Sequence, residues 1–200
     1  MKYLCTLIFL AGIFSSSAQT SAKVQSVKNF QKEINKEFRD PQESPLTAED
    51  RENFEGLNFF DIDTAYTVEA KFVRTPAESP FVMHTTTDRM PIYVKYGEVY
   101  FTLKGKKYKL NVYQSQQLKN DPQYLDYLFL PFTDKTNGRE SYGGGRYIDL
   151  RIPATNTITI DFNKAYNPYC AYSKGYSCPI PPAENDLDIR IPVGVKKYHD

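Results

Sequence analysis

Residues 91–114 read PIYVKYGEVYFTLKGKKYKLNVYQ. From Val99 to Val112 the side chains alternate on both sides of Lys104-Gly105-Lys106, the pattern of two strands joined by a tight turn, so this segment is expected to be a β-hairpin. The same period of two recurs in YTVEAKFVR (66–74), FVMHTT (81–86), YLFLPFTD (127–134), RYIDLRIP (146–153) and TITIDF (157–162), short β-branched and aromatic runs parted by turn residues. Nothing between these runs is long enough for the helical crossovers of a parallel sheet. The expected fold is therefore mainly β, an antiparallel sheet curled into a roll, barrel or sandwich. The aromatic content, 16 Tyr and 13 Phe with no Trp, suits strands and leaves many hydroxyl-bearing rings for a partly wet surface.

Ahead of the strands the period changes. Val24, Val27, Phe30, Ile34 and Phe38 recur at helical spacing, with Lys28, Lys32, Glu33 and Lys36 between them, which predicts an amphipathic helix over 23–39 that Asp40-Pro41 ends. A short second helix is expected from Thr47, with Asp50 at its third position, closing near Gly56. Residues 1–18 read as a secretory signal peptide: Lys2 opens it, residues 3–14 are apolar, and Ser16-Ser17-Ala18 offers a cleavage site before Gln19. The apolar run is too short to span a bilayer, so no membrane span is expected after cleavage. Cys5 lies inside that run, which argues against a lipoprotein. The expected organisation is thus a signal at 1–18, a helical segment at 19–58 packing on the sheet, and a β-rich domain at 59–200.

Loss of the signal removes one lysine and leaves acidic and basic residues in equal number, which argues against a nucleic-acid partner. Cys170 and Cys178 are then the remaining cysteines, and two thiols in an exported chain most simply form one disulfide. Closing so small a loop stabilises by roughly 2.6 kcal/mol through lost chain entropy. Their spacing matches neither a C-x-x-C redox motif nor a zinc knuckle. No metal or cofactor motif is present.

Residues 161–185, DFNKAYNPYCAYSKGYSCPIPPAEN, have no helical or strand period and concentrate polar groups on a loop, where function usually sits. Asp161, Asn163, Tyr166, Asn167 and Tyr169 offer a carboxylate, two amides and two phenols, and Glu184 and Asn185 can return to the same place. The alternative is structural, since Asp and Asn in loops often bond their own backbone. Gly143–Gly145 precede the strand that starts at Arg146, and such glycines can take positive φ or let a ligand approach the backbone. Arg146 and Asp149 differ by an odd number and should face opposite sides of that strand. His84 stands alone before three threonines, and His199 lies near the C-terminus. No nucleophile elbow or metal-ligand pattern accompanies either.

The succession SPL (44–46), LFLPFTDKTNGRESYGGGRYIDL (128–150), DFNKAYNPYCAY (161–172) and CPIPPAEN (178–185) resembles a bacterial family catalogued as domain of unknown function 1684. The likeness covers nearly all of the chain after the signal. It implies no activity, substrate or cofactor. It does imply that Gly145, Arg146, Tyr147, Asp149, Asp161, Asn163, Tyr166, Asn167, Pro168, Cys170, Cys178, Pro179, Pro182, Glu184 and Asn185 define the family pattern, with His84 outside it.

The expectation drawn from these readings is a periplasmic or extracellular domain, with no cofactor, that binds a small polar ligand or an envelope protein. Its ligand-binding residues would be Gly145, Arg146, Asp161, Asn163, Tyr166, Asn167, Glu184 and Asn185. Two alternatives stay open. One is a hydrolase with Asp161 and Glu184 as acid and base roughly 5 to 9.5 Å apart, Tyr166 orienting the substrate and Arg146 holding an anion. The other is a thiol-redox protein using Cys170 and Cys178, in which Lys174 is the nearest positive charge in sequence.

Overall fold

A computed structural model describes residues 4–198, with side chains from Ala18 onward. The side chains of the expected signal through Ser17, Cys5 among them, and His199 lie outside the described residues. The chain starts with helix α1 (Leu4–Arg39), continuous through the expected 23–39, and follows with α2 (Ala48–Glu52). Thr47 caps α2 by accepting the Asp50 N–H at 3.1 Å, as its spacing suggests. Among the described residues, no helix is long and apolar enough to cross a membrane.

Eight strands follow: β1 (Thr67–Arg74), β2 (Phe81–Val82), β3 (Ile92–Leu103), β4 (Lys106–Ser115), β5 (Tyr127–Asp134), β6 (Arg146–Arg151), β7 (Thr157–Asp161) and β8 (Asp186–Leu187). Their order is β6-β5-β4-β3-β1-β7, all antiparallel, with β2 added against β3 and β8 lying parallel to β5. The sheet curls into a half-barrel. The β3–β4 hairpin turns tighter than its sequence suggests. Leu103 pairs with Lys106, so only Lys104 (φ 48) and Gly105 (φ 78) form the turn, the two positive φ values of a type I′ connection. A bulge at Tyr96 bends β3 where it crosses β1, and a Cβ on Gly97 would meet the Phe72 ring and the Val73 carbonyl at 2.8 Å.

The alternation in sequence becomes an inside and an outside. The concave face buries Val68, Ala70 and Phe72 from β1, Val99, Phe101 and Leu103 from β3, and their counterparts through β7. Each fully buried Val, Leu, Ile or Phe among them contributes about 1.5–3 kcal/mol. β5 departs from simple alternation and is buried almost throughout, because the outer face is covered as well. Met83, Tyr93, Tyr113, Phe129 and Tyr147 form a second cluster outside the sheet. A third joins Ile34 and Phe38 of α1 to Leu46, Leu57, Tyr172 and Val195.

β4 and β5 are held together unusually. Their ladder has one paired position, Tyr113 with Phe129. Further along stands Pro131, which has no N–H to donate. The Asn185 side chain takes the place of the missing peptide. It accepts the Asn111 N–H at 2.8 Å and donates to the Asn111 and Pro131 carbonyls at 2.9 and 2.6 Å. At the end of β5, Asp134 receives the fully buried Arg146 guanidinium at 2.5 Å. Arg146 also donates to the carbonyls of Ile191, at 2.9 Å, and Val193, pinning the C-terminal segment across the sheet.

Candidate functional site

The loop residues singled out in the sequence divide into two groups. Asn163 is buried, donates to the Asp63 carbonyl at 3.0 Å and to Asp161 at 2.9 Å, and accepts the Asp63 N–H at 3.0 Å. Asp161 Oδ1 also accepts from Thr67 at 3.0 Å, tying the ends of β7 and β1. Asn167 is buried and donates to the Lys196 carbonyl at 2.9 Å. With Asn185, these side chains bond the chain's own backbone, the structural alternative left open above. Arg146 is likewise engaged: the anion it holds is Asp134. Gly145 sits at φ 94 with its N–H donated to the Tyr142 carbonyl, and a Cβ there would come within 2.6 Å of Pro181. Of the three glycines it alone has positive φ, and close packing explains it without a ligand. Glu184 is exposed. Asp161 lines a groove beside residues 19–26 of α1, and Glu184 is not among that groove's lining residues.

Tyr166 belongs to the second group. Its backbone forms a two-bond bridge to Tyr147 on β6, which presents the phenol to the outer face of the sheet. There Tyr166 and Tyr127 both donate to Asp149 Oδ1, each at 2.7 Å. Asp149 does lie on the face opposite Arg146, as the odd spacing requires. A cleft of about 780 Å³ opens over this carboxylate, roofed by α1 from Phe30 to Glu37 with Asp40 and Glu43 just past its end, and walled by Tyr93, Phe129, Tyr147 and the loop segments 166–169 and 176–179. The Tyr169 hydroxyl donates to Glu37, joining the loop to α1. Burial and then the Asp149 charge push the Tyr127 and Tyr166 phenols far above their ordinary range, so both remain neutral donors at any physiological pH.

Cys170 and Cys178 meet beside this cleft, which Cys178 lines. Both are free. The expected staple is not a bond in this structure, and other ties shape the loop: Ser173 donates to the Pro45 carbonyl at 2.7 Å, and Thr85 bridges to Pro179. The Cys170 N–H donates to Cys178 Sγ at 3.2 Å, and the Tyr142 hydroxyl lies 3.7 Å from Cys170 Sγ. Hydrogen bonding from the Cys178 thiol, helped by Tyr142 and Thr86, pulls the Cys170 thiol down to about 6. The same bond, with burial, pushes Cys178 up. The two thiols are thus coupled, and Cys170 is the one that favours the thiolate. Lys174 has no part in it: hydrogen bonds, not a nearby cation, favour the Cys170 thiolate. Among the described residues no group of three or more His, Cys, Asp or Glu could hold a metal ion.

Asp149, Tyr127 and Glu37 were not among the ligand groups read from sequence, whereas Tyr169 was, as the second phenol of the loop. A partial signal existed, since an acidic residue stands on the outward side of β6 between Tyr147 and Arg151. Tyr127 reaches it from the neighbouring strand and Glu37 lies on α1. Neither juxtaposition follows from spacing along one segment.

A comparison with curated proteins gives no match. Among solved structures, an uncharacterised protein of Haloarcula marismortui, determined in solution by NMR, is similar at 34% identity and a TM-score of 0.69. The match covers 90% of this chain and 96% of that one. The residues that tie the frame together, among them Asp134, Arg146, Asn163 and Asn185, all fall within the span 52–196, which matches the family described as protein of unknown function (DUF1684), and the chain belongs to that family.

Proposed function

We propose that this is an exported binding domain whose cleft over Asp149 takes a small polar ligand in the periplasm or outside the cell. The observation that carries the reading is the convergence of two phenols from separate segments on one carboxylate, at the floor of an aromatic cleft of about 780 Å³. That volume is within the range of small-molecule sites, and a few placed polar groups among rings are what such sites require. An envelope protein as partner would call for a broad exposed surface rather than a concave one. A hydrolase built on Asp161 and Glu184 is less well supported, because Asp161 lines a groove beside α1 whose described lining does not include Glu184. Export is supported by the signal-like residues 1–18.

Native mass spectrometry of the protein recovered from the exported fraction of its own cells tests both parts. The expected result is a chain beginning at Gln19 that carries a small non-covalent adduct, lost in Tyr166→Ala. A chain that retains residues 1–18 contradicts export. An adduct-free protein, or one whose adduct survives Tyr166→Ala, contradicts the site.

The thiol pair supports a second reading, redox chemistry at Cys170, a half-buried residue that favours the thiolate. In the reduced protein, alkylation of Cys170 by iodoacetamide should rise with pH through a midpoint of about 6 and fall away below it, because the thiolate is the nucleophile. Cys178 should stay unreactive across the same range. Thiols that alkylate only after reduction would instead establish the disulfide staple.

A further inference from the structure

Resting on the reading of the cleft as a ligand site, we infer that its ligand is an organic cation, an ammonium group carried on a small apolar or aromatic body. The charge around the cleft is unequal. Glu33, Glu37, Asp40, Glu43 and Asp149 line it, against Lys36 and Arg89. None of the five carboxylates is ion-paired among the described residues. Arg89 keeps its charge while donating from Nε and Nη2 to Ser177 on the cleft wall at 3.0 and 2.7 Å, and the five carboxylates still outnumber the two cations. The field in the cleft is therefore negative, and low-dielectric walls concentrate it.

The rings act in the same direction. Tyr93, Tyr127, Tyr147, Tyr166 and Tyr169 line the cleft, and the face of an aromatic ring attracts a cation. Asp149 is arranged to stay available: two neutral phenols orient it through Oδ1, while Oδ2 accepts no hydrogen bond among the described residues. Phenols that stay protonated cannot themselves neutralise it. An anionic ligand would meet four carboxylates on the α1 side and a fifth on the floor. A neutral polyol would leave their field unanswered.

Calorimetric titration of the mature chain tests the inference with two matched pairs, choline against 3,3-dimethylbutan-1-ol and benzylamine against benzyl alcohol, at neutral pH. Each pair keeps its shape and differs in charge. The expected result is that at least one cation binds tenfold or more tighter than its neutral partner, that Asp149→Asn reduces this preference to about threefold or less, and that raising salt weakens the cation alone. Should Asp149→Asn fail to fold, the salt dependence of the wild-type protein still decides. Equal or tighter binding of the alcohols overturns the cation while leaving the cleft as the ligand site. If all four compounds fail to bind, the cation is overturned too; a neutral or anionic compound that then shifts the cleft residues leaves the site standing, and the absence of any such compound removes both.

Discussion

Arg146→Met is expected to destabilise the protein by about 3–5 kcal/mol, because it leaves the Asp134 carboxylate buried without its counter-charge. For a chain of this size that loss lowers the melting temperature by roughly 10 °C or more. Both side chains are completely shielded from solvent, so water cannot take over the role of the guanidinium. The loss also frees the Ile191 and Val193 carbonyls, and the C-terminal segment should loosen with it. Adding Asp134→Leu should recover only part of the stability. Asp134 Oδ1 also accepts the N–H groups of Thr136 and Ile191, at 2.7 and 3.2 Å, and leucine orphans both. Circular dichroism melts of the two variants check this, and a melting temperature within a degree or two of wild type for Arg146→Met would show that the pair is not what ties β5 and β6 to the C-terminus.

Asn185→Leu should cost about 3 kcal/mol or more. It leaves the Asn111 N–H and two carbonyls, those of Asn111 and Pro131, without partners where water does not reach, and each such group costs about 1–3 kcal/mol. The effect should be local first. Hydrogen exchange at Asn111 should accelerate ahead of exchange in the β3–β4 hairpin, since the hairpin keeps its own ladder. Glu184→Gln supplies the contrast: the side chain next door is exposed, and its loss should stay within about 0.5 kcal/mol. Equal melting temperatures for the Asn185 and Glu184 variants would mean that the β4–β5 gap is closed by something else.

These two residues also show what could be read ahead of the structure. Period-two alternation from residue 66 to 162 exposed the strands, because side chains on a pleated surface report their own environment. It also placed Arg146 and Asp149 on opposite faces. The loop asparagines could be read either as ligand groups or as backbone staples, and nothing local decides between them. Asn163 is bonded to Asp63 and Asn185 to Asn111, partners 100 and 74 residues away. Arg146 offers the same lesson: an arginine beside a glycine run looks ready for an anion until the curl of the sheet delivers Asp134 to it. Tyr166 was visible as a candidate, but its partner Asp149 became one only when β6, β5 and α1 were brought together. The cysteines were read as a disulfide, and they stand in contact as free thiols. The bonds that favour the Cys170 thiolate depend on Tyr142 and Thr86 arriving from other segments.

The division of labour between frame and cleft is the central claim, and amide chemical-shift mapping with a pool of small polar compounds tests it most directly. The account predicts that responding amides gather around Asp149, Tyr127, Tyr166, Tyr169 and Glu37, with Gly145, Asn163 and Asn185 unmoved. Shifts centred on Gly145, Asn163 or Asn185, with the cleft silent, would contradict it and return the family's signature loop to the role of binding site.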